Sequence, residues 1–296
     1  MTSAPQASLP PLPCYLNGEF TTLPEAKVSV MDRGFLLGDG VYEVVPVYDG
    51  RLFRFEEHMG RLDRSLSELR IINPMTREQW RDIALRLVVG HAALKGAGPQ
   101  SVYIQVTRGV ALRDHAMVPG LTPTVFVMIS AAAPETVAQR AQGVACVTAE
   151  DFRWRKAHIK AISLLGAVMA RQISVDAGAA ETIMFRDGFL SEGASSNVWV
   201  IKNGSVAGTP KDNLVLEGIR YGLVEGLCQE AGIPFKLRRV SQGEVAQADE
   251  LILSSAGKEV LPVTLLDGMP VGNGVPGPIY ERLYDGYQRL KLEQSA

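Results

Sequence analysis

The sequence predicts an α+β fold in two domains, a small α+β domain over residues 14–130 and a larger β-rich domain with helices over residues 136–296. Three observations carry this reading. Short alternating segments bounded by turn dipeptides recur in both halves. Two runs with helical periodicity fall close together in the first half. The chain has 296 residues, 46% of them hydrophobic, which is enough material for two buried cores.

A net charge of −2 leaves no basic footprint for nucleic acid. Cys14, Cys146 and Cys228 lie far apart without a Cys-x-x-Cys spacing, which argues against a disulfide framework and against a metal site. Residues 1–13 show neither a basic nor an apolar leader pattern and read as a flexible tail. No apolar run is long enough for a membrane span, so a membrane partner is not expected and the cytoplasm is the expected compartment.

Residues 15–47 read as strands joined by turns, with Asn17-Gly18 and Asp49-Gly50 as turn dipeptides and Val41-Tyr42-Glu43-Val44-Val45 as a β-branched and aromatic run. Between them, the three glycines of residues 34–40 indicate tight turns and no helix. Residues 55–70 have helical periodicity through Met59, Leu62, Leu66 and Leu69, which places Arg61 beside the apolar stripe. Asn73-Pro74 breaks that pattern, and a second helix is expected from a cap at Thr76 to Lys95, before Gly96. Strands follow at residues 101–108 and 124–130, with Arg113 and His115 in the loop between them. Residues 131–135, Ala-Ala-Ala-Pro-Glu, form the expected linker.

Beyond the linker, strands are expected at residues 181–186, 193–201 and 205–208, turning at Asp187-Gly188 and Asn203-Gly204. A helix opens near Gly218 and runs to Ala231-Gly232. Residues 251–257 form a strand that ends in small residues.

The stretch at residues 150–166 is of a different kind. A charged, aromatic run gives way to an apolar one, with Lys160 at the join. Ile162, Leu165, Val168 or Met169 and Ile173 recur at helical spacing from Ala161, and Gly178 supplies a stop. Lys160 is therefore expected where an extended segment enters a helix whose inner face is buried. A partly desolvated amine there is a better nucleophile toward carbonyls. A lysine snorkelling off a helix start is the ordinary alternative.

Three further features extend the chemistry. The helix near Gly218 offers backbone N–H groups to an anion. Arg61 offers a guanidinium fork. Glu192 can face a ring nitrogen. An imine-forming lysine, an acidic partner for a pyridine nitrogen and a phosphate cradle are the demands of pyridoxal 5′-phosphate. Each feature taken alone has an ordinary structural explanation.

Longer motifs narrow the choice. Residues 32–45, Glu57-His58-Met59-Gly60-Arg61-Leu62 and Gln105-Val106-Thr107-Arg108-Gly109 come first. His158-Ile159-Lys160-Ala161-Ile162-Ser163-Leu164-Leu165-Gly166 and Glu192-Gly193-Ala194-Ser195-Ser196-Asn197-Val198 follow in order. In these the sequence resembles the fold-type IV pyridoxal-phosphate enzymes, and most closely the bacterial D-amino-acid transaminases. The likeness extends from about Tyr15 to the C-terminal end. The implied architecture is a small α+β domain followed by a larger pseudo-barrel domain that binds the cofactor.

The resemblance implies that Lys160 is the catalytic, Schiff-base lysine and Glu192 the partner of the pyridine nitrogen. It makes Arg61 a phosphate ligand, together with backbone N–H groups of Ile219 and Arg220. Arg153 stands near the ring hydroxyl, and Ser195 and Ser196 line the ring side of the pocket. Where many relatives carry a phosphate-binding threonine, this chain has Ala256 and Gly257, which offer only backbone N–H groups. Arg220 also stands where relatives often carry threonine; its side chain either adds charge at the phosphate or points away.

Tyr42, Ser196 and the pair Arg113 and His115 are implied in substrate binding. The last two would grip the carboxylate, reaching in from the other subunit of a homodimer. His58 is expected to be structural, and His158 a core histidine or a neighbour that tunes Lys160. The expected activity is transfer of the amino group of a D-amino acid, such as D-alanine, to a 2-oxo acid, such as 2-oxoglutarate. Alternatives within the same fold are a branched-chain L-amino-acid transaminase, an (R)-amine transaminase and an aminodeoxychorismate lyase. Outside catalysis, the alternative is a binding protein that has kept the fold.

Overall fold

The computed structural model describes residues 9–133 and 135–295. The tail expected at residues 1–13 lies outside the described residues as far as residue 8, and so does Pro134 of the expected linker. The chain divides into two compact units, Met1–Ala132 with Lys160–Ser163, and Ala133–Ile159 with Leu164–Ala296. No helix among the described residues is long and apolar enough to cross a membrane.

The first unit contains β1 (Pro13–Leu16), β2 (Glu19–Thr22), α1 (Arg33–Leu37), β3 (Gly40–Tyr48), β4 (Arg51–Leu52), α2 (Phe55–Glu68), α3 (Arg77–Lys95), β5 (Gln100–Thr107) and β6 (Thr124–Ala131). Its strands form one antiparallel sheet in the order β2-β1-β6-β5-β3-β4. At Asn17-Gly18 and Asp49-Gly50 both residues take positive φ, the conformation that two-residue hairpin loops require. In β3, Val41, Glu43 and Val45 are fully buried while Tyr42 and Val44 are only partly so, the alternation of a strand with one face on the core. Thr76 and Gln79 close a capping box at the start of α3, and Gly96 follows its last turn.

The glycine-rich run at residues 32–40, expected to hold no helix, contains the single-turn helix α1. Asp32 accepts a hydrogen bond from the N–H of Gly34 at 2.8 Å, and Gly38 closes the turn at φ 66°. Capping at both ends sustains a helix too short to register as a periodicity.

The second unit contains α4 (Val137–Gln142), β7 (Val144–Glu150), α5 (Leu165–Asp176), β8 (Glu181–Arg186), β9 (Phe189–Gly193), β10 (Asn197–Lys202) and β11 (Ser205–Gly208). It continues with α6 (Arg220–Glu230), β12 (Phe235–Leu237), α7 (Gln242–Ala246), β13 (Glu250–Ser255), β14 (Glu259–Leu266), β15 (Met269–Pro270) and α8 (Pro278–Ser295). The sheet runs β12-β11-β10-β13-β14-β7-β8-β9, with β15 on β14. It is parallel only at β11–β12, β14–β7 and β7–β8. Ile183, Phe185, Val198, Val200, Leu251 and Leu253 lie in its main core. The continuous strand expected over residues 193–201 is interrupted, because a turn at residues 194–196 separates β9 from β10.

The helix expected from Ala161 begins only at Leu165. Residues 160–163 are held extended against β3. Ala161 bridges Val41, the Tyr42 N–H donates to the Lys160 carbonyl, and the Ile162 N–H donates to the Gly40 carbonyl, both at 3.0 Å. The apolar stripe expected to face inward is also not buried: Leu165, Val168 and Met169 are 73%, 61% and 55% exposed. The buried positions of α5 are the small residues Ala170 and Ser174. Small side chains permit a close approach to β8, where the Thr182 hydroxyl donates to the Ala170 carbonyl at 2.7 Å.

All three cysteines are unpaired and buried. Burial raises the Cys14 thiol and pushes Cys146 and Cys228 up to about 12 and about 11.

Candidate active site

Lys160 and Tyr42 are brought together by the extended segment on β3. The pairing places the Lys160 Nζ over the Tyr42 ring, 4.1 Å from its centroid. The Lys160 N–H donates to the Ser65 hydroxyl of α2 at 3.2 Å, so the backbone of this lysine is tied on both sides. Tyr42 in turn stacks on Tyr103 of β5, with 5.8 Å between ring centroids.

Arg61 projects from the buried face of α2 onto Glu43. Its Nε and Nη2 donate to the two carboxylate oxygens at 2.6 and 2.9 Å, and His58 Nδ1 lies 2.8 Å from the second oxygen. Burial alone would raise the Glu43 carboxyl, but the Arg61 guanidinium and the His58 ring hold it well below the usual range. Arg61, the expected phosphate ligand, is therefore fixed by a carboxylate of β3. Arg113 and His115 occupy an exposed loop and touch neither Lys160 nor Arg61 in any hydrogen bond or ion pair described for the first unit.

In the second unit Glu192 is the centre of a connected set. One carboxylate oxygen is 3.0 Å from Arg153 Nη2. The other accepts from the Leu216 N–H at 3.2 Å and from Asn197 Nδ2 at 3.4 Å. Asn197 Nδ2 also donates to the Leu216 carbonyl at 3.0 Å, which links Glu192 to the approach of α6. Gly218 makes that link possible, because a Cβ there would lie 2.0 Å from Asn197 Oδ1. Burial pushes the Glu192 carboxyl up to about 7, with Arg153 and the Leu216 N–H only partly opposing it.

Arg153 is held from behind by Asp151, which receives its Nε at 2.9 Å and its Nη2 at 3.0 Å. Asp151 also accepts from the Ser191 hydroxyl at 2.5 Å and pairs with Arg186 at 3.0 Å. Ile219 caps α6 without a side-chain hydrogen bond, so no protein oxygen from the cap residue occupies that N-terminus. The Arg220 side chain is buried and donates to the Tyr287 hydroxyl of α8 at 2.9 Å.

Ser195 and Ser196 both donate to Glu181, at 2.8 and 2.7 Å. Lys258 completes this group. Its Nζ is 3.1 Å from the Glu181 carboxylate and 3.0 Å from the Ser195 hydroxyl, joining the serine turn to the turn that carries Ala256 and Gly257. Glu43, Asp151, Asn197, Glu181 and Lys258 were not singled out by sequence reasoning. Glu43 alone carried a legible sign, a charge at a core position of an alternating strand.

Each unit holds groups of the kind that an aromatic aldehyde bearing a phosphate requires. Glu192 is a buried carboxylate, raised toward neutrality and able to gain charge against a protonated ring nitrogen. An 11-residue helix presents an N-terminus uncapped by a side chain. Lys160 carries a positioned primary amine beside an aromatic ring.

Comparison with known proteins gives the same answer independently. The amino-transferase class IV family model matches residues 40–266. A D-alanine aminotransferase of Staphylococcus epidermidis is 36% identical over 275 residues, covering 93% of this chain and 96% of that protein. That of Bacillus licheniformis is 37% identical over 281 residues, covering 95% and 97%. The solved branched-chain amino acid aminotransferase of Escherichia coli matches with a TM-score of 0.83 at 24% identity, covering 93% of this chain and 93% of that one. At that identity the likeness speaks for the fold alone, which is that of the fold-type IV aminotransferases. The chain belongs to the class IV amino-transferase family, whose members work with pyridoxal 5′-phosphate.

Proposed function

We propose that this pyridoxal-phosphate-dependent aminotransferase takes the amino group of a D-amino acid, D-alanine in the first instance, and passes it to a 2-oxo acid such as 2-oxoglutarate. The observation that carries the proposal is the likeness to D-alanine aminotransferases over 93–95% of the chain. The Arg113-x-His115 loop and Tyr42 supply the cationic and hydroxyl donors that a carboxylate needs.

When bound, the cofactor supplies an electron sink for charge developing at the substrate Cα. Lys160 would hold it through Nζ, and as a free amine would move the proton at that Cα. Glu192 keeps a proton on the ring nitrogen, and Arg153, itself fixed by Asp151, holds Glu192 in place. Arg61 and the backbone N–H groups of Ile219 and Arg220 would hold the phosphate, with those of Ala256 and Gly257 in place of a hydroxyl. Ser195 would line the ring side, and Ser196 and Tyr42 would each serve substrate binding.

Turnover of D-alanine and L-alanine with 2-oxoglutarate tests the substrate reading. D-alanine is expected to react with a kcat/KM at least about a hundredfold above that of its enantiomer. Turnover of L-alanine or L-leucine alone would exclude it.

The working form in this proposal is a homodimer. Its support is the row of Leu165, Val168 and Met169 on α5, exposed on an isolated chain and of the kind that subunit contacts cover. Sedimentation is expected at twice the chain mass, with Val168→Asp shifting it toward the single chain; an unaltered mass for that variant would remove α5 from the interface. A reducing compartment such as the cytoplasm suits three unpaired, buried thiols.

A further inference from the structure

The loop that carries Arg113 and His115 is exposed, yet a buried arginine of another segment is committed to it. Arg33, the first residue of α1, is 2% exposed. Its Nη1 donates to the carbonyl oxygen of Asp114, the residue between the two, at 2.7 Å. Its Nε donates to Asp39 at 2.8 Å. Arg108 already holds both oxygens of that same carboxylate, at 2.7 and 3.0 Å, and passes a further N–H to the Leu69 carbonyl at 2.8 Å. One guanidinium is enough to neutralise Asp39. Arg33 therefore brings a second positive charge to one carboxylate, and the far side of its fork is directed at the loop.

The backbone around Arg33 fixes the loop's root as well. The Arg33 N–H donates to the Gly109 carbonyl at 2.9 Å, the Ala111 N–H donates to the Met31 carbonyl at 3.4 Å, and Asp32 bridges Val110. The Asp114 carboxylate turns back onto the Ala116 N–H at 3.1 Å, which stiffens the tip. A charge-assisted hydrogen bond to a backbone oxygen within an otherwise exposed loop fixes the peptide plane that joins Asp114 to His115.

We infer that Arg33 is a positioning residue for substrate recognition, setting the side chains of Arg113 and His115 through the Asp114 carbonyl without touching the substrate itself. The inference rests on the reading of Arg113 and His115 as the carboxylate grip. Misplacement of a binding group by about an ångström carries a large kinetic cost, and here the cost falls on binding of the carboxylate.

The test compares Arg33→Met, Arg33→Lys and Arg113→Met as purified holoenzymes with D-alanine as donor. Arg33→Met is expected to raise the KM for D-alanine about tenfold, with kcat and the dissociation constant for pyridoxal phosphate each within about threefold of the parent. Arg33→Lys, which retains one charged donor, should fall between the two. Parallel losses in KM, kcat and cofactor affinity would mean a merely structural residue and would overturn the inference. So would an unchanged KM in Arg33→Met beside a raised KM in Arg113→Met. An unchanged KM in Arg113→Met would overturn the carboxylate reading, and this inference with it. If Arg33→Met does not fold, the lysine variant carries the same comparison, and a KM equal to that of the parent counts against the inference.

Discussion

Lys160→Met is expected to lower D-alanine turnover by about ten-thousandfold while leaving the fold intact. The loss combines two roles of one amine, holding the cofactor and moving the Cα proton, each of which a thioether lacks. The fold should survive because the position is secured through its backbone, by the Tyr42 N–H on one side and the Ser65 hydroxyl on the other. The side chain adds only the contact of Nζ with the Tyr42 ring, worth about 0.5–1 kcal/mol at a partly exposed site. Thermal melting and steady-state rates of the same preparation separate the two effects. Borohydride reduction of the parent, followed by peptide mapping, should place the pyridoxyl label on Lys160. A label on another residue, or a variant that still turns over, would dismantle the assignment.

Glu192→Gln is expected to reduce kcat by about a hundredfold to a thousandfold, as loss of one preorganised charge does elsewhere. It should also alter how the stability of the cofactor-free protein depends on pH. Burial raises the folded carboxyl to about 7, whereas in the unfolded chain it has the ordinary glutamate value. Between these values the folded state binds more protons than the unfolded one. Stability from this group is thus fully present below the unfolded value and is lost as pH rises through about 7. The amount is on the order of 3 kcal/mol. Glutamine cannot titrate, so the variant should lack that decline. Denaturant midpoints at pH 5 and pH 8 decide the matter, and an equal decline in parent and variant would mean that another group is responsible.

What could be read from sequence alone follows the range of the forces involved. Thr76 and Gly96 bounded α3 correctly because capping is settled within a few residues. The paired residues at 17–18 and 49–50 fixed their hairpins for the same reason. Tertiary decisions were less visible. Pairing of residues 160–163 with β3 overrode a helical pattern that otherwise began at Ala161, and α5 turned its small residues inward. The candidate site shows the same division. The motifs pointed to Lys160, Arg61 and Glu192, but not to the carboxylates and amides that orient them. Glu43 lies 18 residues from Arg61, and Lys258 lies 77 from Glu181, distances over which no local rule operates. Arg33 belonged to a quoted motif, yet its contact with Asp114 spans 81 residues and needed the folded sheet to appear.

The buried state of Cys14, Cys146 and Cys228 has a practical bearing. Because each thiol is sealed from water and raised in pKa, maleimide and disulfide reagents have no thiolate to meet on the folded surface. Their reaction reports the opening of the chain, and a cysteine engineered onto an outer loop would accept a dye against a silent native background.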